Sequence, residues 1–149
     1  MKPLLVLLGT FIISFLVIKL FSKSLDYRLA GRIAMAIMLV FTAMGHFMFV
    51  EGMSAMVPPF IPFKNQLVLL TGILEIILGI SILFPHYQTF TAWMLIAFLI
   101  LILPANIYGA IHHVNYQTGI ANGPGLAYLW FRIPLQLFFI IWVYVSMIR

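Results

Sequence analysis

The apolar run Leu67–Phe84 carries a single charged residue, Glu75, at its middle. A helix needs about 20 residues to cross the hydrocarbon core of a bilayer, and this run is close to that length. A carboxyl group at such depth is unfavourable by several kcal/mol unless it is paired, protonated or turned toward a polar cavity. The chain is therefore expected to supply a partner. Arg132 is the first candidate, because it sits just inside another apolar run, with Gln136 one helical turn further on.

Five such runs can be read along the chain: Pro3–Phe21, Ala30–Val50, Leu67–Phe84, Phe90–Ile111 and Leu126–Ile148. They are continuous rather than alternating, which points to helices and excludes a membrane barrel. Hydrophobic residues make up 64% of the 149 residues and charged residues 7%, against about 25% charged in a soluble domain. Too little polar surface is left to coat a water-soluble globule. The expected fold is an all-α, polytopic membrane helix bundle forming one domain over residues 1–149. Pro85-His86-Tyr87-Gln88-Thr89 is a tight connection that makes the third and fourth spans antiparallel neighbours. The first run reads as a retained span. Ser22 and Ser24 offer small residues for a cleavage site, but the run is longer than a signal peptide's apolar core and only Lys2 precedes it.

Charge sets the orientation. Lys19, Lys23, Arg28 and Arg32 surround the first connection and Arg149 lies on the same side, whereas the other side has only Lys2 and Lys64. The positive-inside rule places the C-terminus in the cytoplasm and the N-terminus outside. Trp93, Tyr128 and Trp130 fit interfacial belts. The net charge of +5 lies at the ends of apolar runs and forms no stripe for nucleic acid. With no cysteine, disulfides, thiol catalysis, iron–sulfur clusters and cysteine-bound zinc are excluded.

In this orientation the polar residues gather in the outer half of the bundle. His46 lies near the outer end of the second span with Glu51 beyond it, and Glu75 lies roughly 12–15 Å below the outer start of the third. Asn106 and Tyr108 precede His112 and His113 at the mouth of the fourth. Tyr128, Arg132 and Gln136 are spaced by four and share a face of the last. Gly72, Glu75 and Gly79 share a face whose small residues let another helix approach closely. Pro104 and Pro134 free backbone carbonyls near Ile100 and Trp130. The inner half has almost nothing polar beyond Ser81 and the basic residues. The loop Met56-Val57-Pro58-Pro59-Phe60-Ile61-Pro62-Phe63 is too rich in proline to be helical throughout, and is expected to cover the surface as a lid or to dip into the bundle. Asn122-Gly123-Pro124-Gly125 marks a turn.

Two readings of each feature stay open. Glu75 with Arg132 is a structural ion pair or a ligand- and proton-handling site. His46 is a helix-end hydrogen-bonding residue or part of that site, and Asn106 is a helix–helix hydrogen bond or a ligand donor. His112 and His113 are interfacial, and adjacent histidines on a helix point about 100° apart, which disfavours a shared metal.

Gly45-His46-Phe47, the Met56–Pro62 loop, Gly72-Ile73-Leu74-Glu75, Pro104-Ala105-Asn106-Ile107-Tyr108 and Arg132-Ile133-Pro134-Leu135-Gln136, taken in order, resemble the DoxX family of small bacterial membrane proteins. The likeness covers roughly Ile33–Val143. It implies a four-helix membrane core, to which this chain adds an N-terminal span, and an association with quinone-linked oxidoreductases or maturation complexes. It carries over no catalytic residue.

The first functional expectation is a non-catalytic accessory, assembly or lipid- and partner-binding subunit in the bilayer, alone or as an oligomer, alongside other membrane redox subunits. The second is a quinone-binding subunit with its head group among His46, Glu75, Asn106, Arg132 and Gln136. Glu51, Tyr108, His112, His113 and Tyr128 are secondary candidates. Haem held by His46 with His112 or His113 is disfavoured, as is transport, and no metal site is expected.

Overall fold

The computed structural model describes residues 2–22 and 26–149. Lys23 and Ser24, which entered the charge bias and the cleavage-site reading, lie outside the described residues. Six α-helices follow one another: α1 (Lys2–Ser22), α2 (Tyr27–Met48), α3 (Val50–Ala55), α4 (Lys64–Ser81), α5 (Gln88–Ile111) and α6 (Ala127–Val143). A 3-10 turn, Pro85–Tyr87, leads into α5, and a π-helical turn, Tyr144–Ile148, continues α6. No strand occurs among the described residues. All but α3 are long and apolar enough to cross a membrane, so the expected all-α bundle is the fold.

Local chemistry explains the boundaries. Asp26 caps α2, its carboxylate accepting from the Leu29 amide at 2.9 Å, which satisfies one of the otherwise unpaired first-turn donors. α4 is displaced by three residues from the apolar run that announces it. It ends at Ser81 because Phe84, ahead of Pro85, adopts the extended conformation (φ −88°, ψ 115°) that proline imposes on its predecessor. It begins at Lys64 because Phe63, at φ 54°, turns the chain out of the Pro62 segment.

α2 is the hub, packing against α1 on one side and α4 on the other. Its buried face is rich in small residues (Ala30, Gly31, Ala34, Ala36 and Ala43). The α4 face predicted to admit a close neighbour admits α2. A Cβ at Gly79 would stand 3.3 Å from the Ala36 carbonyl oxygen and the Leu39 Cβ, and one at Gly72 would stand 2.7 Å from the His46 Cβ. Close approach of this kind replaces hydrophobic driving force as the source of helix association where the surroundings are apolar. The core between the helices holds Met35, Met38, Leu39, Ile82, Leu95 and Val143. The outside is just as apolar: Leu70, Ile77, Leu101 and Trp130 are all exposed, a pattern water would not tolerate over so much of a surface.

The two ends of the bundle differ. At the end where α2 finishes and α4 begins, α3 packs on α4 and the Pro-rich segment closes over it. Met56 packs against Gly109 of α5, Val57 is buried, and the Lys64 ammonium donates to the Val57 carbonyl at 2.8 Å. Phe60 and Phe63 stay exposed. The loop from His112 to Gly125 folds onto α3, with Tyr116 edge-on to Phe49 at 5.8 Å. At the opposite, basic end, Arg32 donates to the Gln88 side-chain oxygen at 2.7 Å, Gln88 donates to the Met147 carbonyl at 2.8 Å, and the Trp142 indole donates to the Gly31 carbonyl at 3.1 Å. This clasp corrects the expectation of a half nearly empty of polar groups. Gln88, expected in a connection, opens α5 and so reaches α2 and the π-helical turn at once.

Candidate functional site

Glu75 is buried on α4, and the nearest charged-group partner is His46 of α2, whose Nε2 lies 3.7 Å from the carboxyl Oε2. The other ring nitrogen is engaged. His46 Nδ1 lies 3.1 Å from the Val68 carbonyl and 3.0 Å from the Thr71 hydroxyl, while that hydroxyl donates to the Val68 carbonyl at 2.8 Å. A carbonyl can only accept, so Nδ1 carries the proton and the imidazole presents Nε2 to Glu75. Thr42, one turn before His46 on α2, lies beside the Glu75 carboxyl. Its own hydroxyl donates to its helix, at 3.1 Å to Met38 and 3.0 Å to Leu39.

Arg132 does not form the expected ion pair. Among the described residues His46–Glu75 is the only acid–base contact at ion-pair distance. The reason is the packing. α2 lies along α4 through Gly72 and Gly79, so a side chain from α2 reaches Glu75 before one from α6 can. Gln136, buried on α6, donates its amide to the Leu99 carbonyl of α5. That carbonyl lies one residue before Ile100, whose normal helical donor Pro104 lacks. Among the described residues, three buried side-chain polar atoms make no hydrogen bond: Glu75 Oε2, Arg132 Nε and Gln136 Oε1. The set is two acceptors and one donor, and it lies within the apolar body of the bundle, where an unmatched polar group is expensive.

The remaining candidates stand apart from this group. Asn106 donates to the Ile102 carbonyl of its own helix at 2.9 Å instead of bridging to another, because a half-buried amide finds the i−4 carbonyl within reach. Tyr108 and His112 stack with centroids 4.0 Å apart, and His112 Nδ1 lies 2.9 Å from the Tyr108 carbonyl. His113 adopts φ 53° and lays its ring against Gly125. Glu51 is exposed at the start of α3, and Tyr128 is half-buried at the start of α6. Among the described residues no group of three His, Asp or Glu side chains comes together.

One family model, described as a domain of unknown function (DUF8561), matches residues 35–147. The chain belongs to the DUF8561 family. No curated protein matches it, and no solved structure does. The DUF8561 match opens inside α2 and runs to the π-helical turn, so it takes in His46, Glu75, Arg132 and Gln136 and leaves α1 outside.

Within this DUF8561 chain, sequence reasoning missed Thr42 and the Val68 and Leu99 carbonyls. Thr42 had a signal, because it precedes His46 by four residues and so shares its face. The carbonyls had none, since every residue carries one and only tertiary contact selects among them.

Proposed function

We propose that this chain is a DoxX-like multi-pass protein of the bacterial inner membrane and a non-catalytic accessory subunit, in which the buried polar cluster holds the helices in register for a lipid or protein partner. The observation that carries the reading is how the cluster uses its hydrogen bonds. His46 of α2 is bound to the backbone and Thr71 of α4, and Gln136 of α6 to the backbone of α5. Polar side chains spent on the backbone of an opposing helix define one packing arrangement against its alternatives. The resemblance of five segments, in order, to the DoxX family supports the same reading, as does the apolar exterior.

A second reading, a quinone-binding subunit, is favoured by the three unpartnered buried atoms. A quinone carbonyl accepts from Arg132 Nε, and a quinol hydroxyl donates to Glu75 or Gln136. Native mass spectrometry of the protein released gently from its own membrane tests the two together. The accessory reading expects a partner protein or phospholipid and no quinone, in the unmodified chain and in Glu75→Gln alike. A bound quinone that falls at least about tenfold in Glu75→Gln, a loss of about 1.4 kcal/mol, would replace it with the second reading.

Orientation has its own test. The chain has no cysteine, so single cysteines report cleanly. Gln117→Cys, in the loop after α5, is expected to react with a membrane-impermeant maleimide in intact cells, and Arg28→Cys only after lysis. The reverse pattern would invert the topology.

A further inference from the structure

A second feature lies at the basic end, away from the polar cluster. A groove of about 230 Å³ runs between α1, α2 and α6, lined by Phe11, Gly31, Phe138, Trp142, Val145 and by Tyr27 at its end. Phe11 stands edge-on to Trp142 with centroids 5.0 Å apart, which forms one side. At the base, α2 touches the π-helical turn: a Cβ at Gly31 would stand 2.9 Å from the Ser146 Cβ. The wall is thus made of rings and short side chains.

Each wall ends in a cation on the same side. On α1, Phe11 and Phe15 stack at 6.0 Å, and Lys19 continues the stripe at i+4 and i+8. On α2, Arg28 donates to the Tyr27 hydroxyl at 3.3 Å and its guanidinium lies over the Tyr27 ring at 5.8 Å. Beyond Ser146 the chain ends in Arg149. The one described acidic side chain at this end, Asp26, is spent on the cap of α2, and no lysine or arginine among the described residues lies at ion-pair distance from a carboxylate. An apolar slot opening onto uncompensated cations complements a molecule with a hydrocarbon chain and an anionic head. Basic pockets between membrane helices recognise lipid head groups in this way.

We propose that this groove binds an anionic phospholipid, with an acyl chain along Phe11, Phe138 and Trp142 and the phosphate held by Lys19 and Arg28. The proposal rests on the chain spanning a bilayer, and it is independent of what the Glu75 cluster does. Extraction of the full chain from membranes by alkaline carbonate, without detergent, would remove the membrane reading itself and is scored first. The lipid test then uses the detergent-solubilised full chain, titrated with phosphatidylglycerol or with phosphatidylcholine of matched acyl chains and read by native mass spectrometry.

Phosphatidylglycerol is expected to bind about 25-fold more tightly, from two cations worth about fivefold each. Lys19→Gln with Arg28→Gln, both on the exposed surface, is expected to remove that preference while leaving the thermal midpoint unchanged. Val145→Trp, which fills the slot, is expected to lower retention of both lipids. Equal binding of the two lipids by the unmodified chain, or a preference that survives the double variant, overturns the proposal. So does displacement of phosphatidylglycerol by millimolar inorganic phosphate, which would make the site one for free anions.

Discussion

Gly72→Leu is expected to destabilise the bundle by about 3 kcal/mol, at the upper end of overpacking penalties. The position has no room. A Cβ there would already stand 2.7 Å from the His46 Cβ and 3.3 Å from the tip of the Phe47 ring, and the His46 Cβ, held directly by its backbone, cannot swing aside. Leucine would push α2 away from α4. The shift would carry His46 off the Val68 carbonyl and away from Glu75, leaving the carboxyl buried with neither neighbour. Gly9 of α1 is the internal control, since nothing lies within 4 Å of a Cβ built there. Gly9→Ala is expected to be neutral or stabilising by up to about 1 kcal/mol, from helix propensity. Denaturant unfolding of both variants in a mild detergent compares them directly. Equal stability of Gly72→Leu and the unmodified chain would mean that α2 and α4 are not packed through this face.

The second large effect concerns the partner of Glu75. His46→Leu leaves the carboxyl without its nearest titratable neighbour and is expected to destabilise by about 1–3 kcal/mol, the range for a buried polar group left unsatisfied. Removing both groups, in His46→Leu with Glu75→Leu, is expected to restore most of that loss, because no uncompensated polar group then remains on α2 or α4. The Val68 carbonyl keeps its Thr71 hydroxyl in both variants. A parallel cycle between Glu75 and Arg132 separates the structure from the expectation drawn from sequence. The coupling of Glu75 with His46, at 3.7 Å, is expected to exceed its coupling with Arg132 by at least about 1 kcal/mol, outside the error of additivity for residues not in contact. A larger coupling with Arg132 would return the pair to the one that composition suggested.

These two experiments bear on the same region from different sides. Gly72 and Gly79 set the distance between α2 and α4, and that distance selects His46 as the neighbour of Glu75. The unpartnered Arg132 Nε and Gln136 Oε1 follow from it as well, because the helix that carries them meets α4 less closely. On the function proposed above, a cluster assembled this way holds the packing, and its three open hydrogen-bonding positions are where a ligand would be read.

What the sequence determined by itself is local in origin. The number of long apolar helices, their ends to within about three residues and the all-α class follow from the length of each apolar run, from proline and from capping, none of which needs a neighbour. The depth of Glu75 and the small-residue face around it were legible for the same reason. The tertiary structure alone decided which partner Glu75 meets, that Asn106 turns to its own helix, that Gln136 reaches the Leu99 carbonyl, and that Gln88 joins α2, α5 and the C-terminal turn. Each of these depends on how closely two helices approach. That approach is a sum over many small contacts along both faces, and no single stretch of sequence contains it.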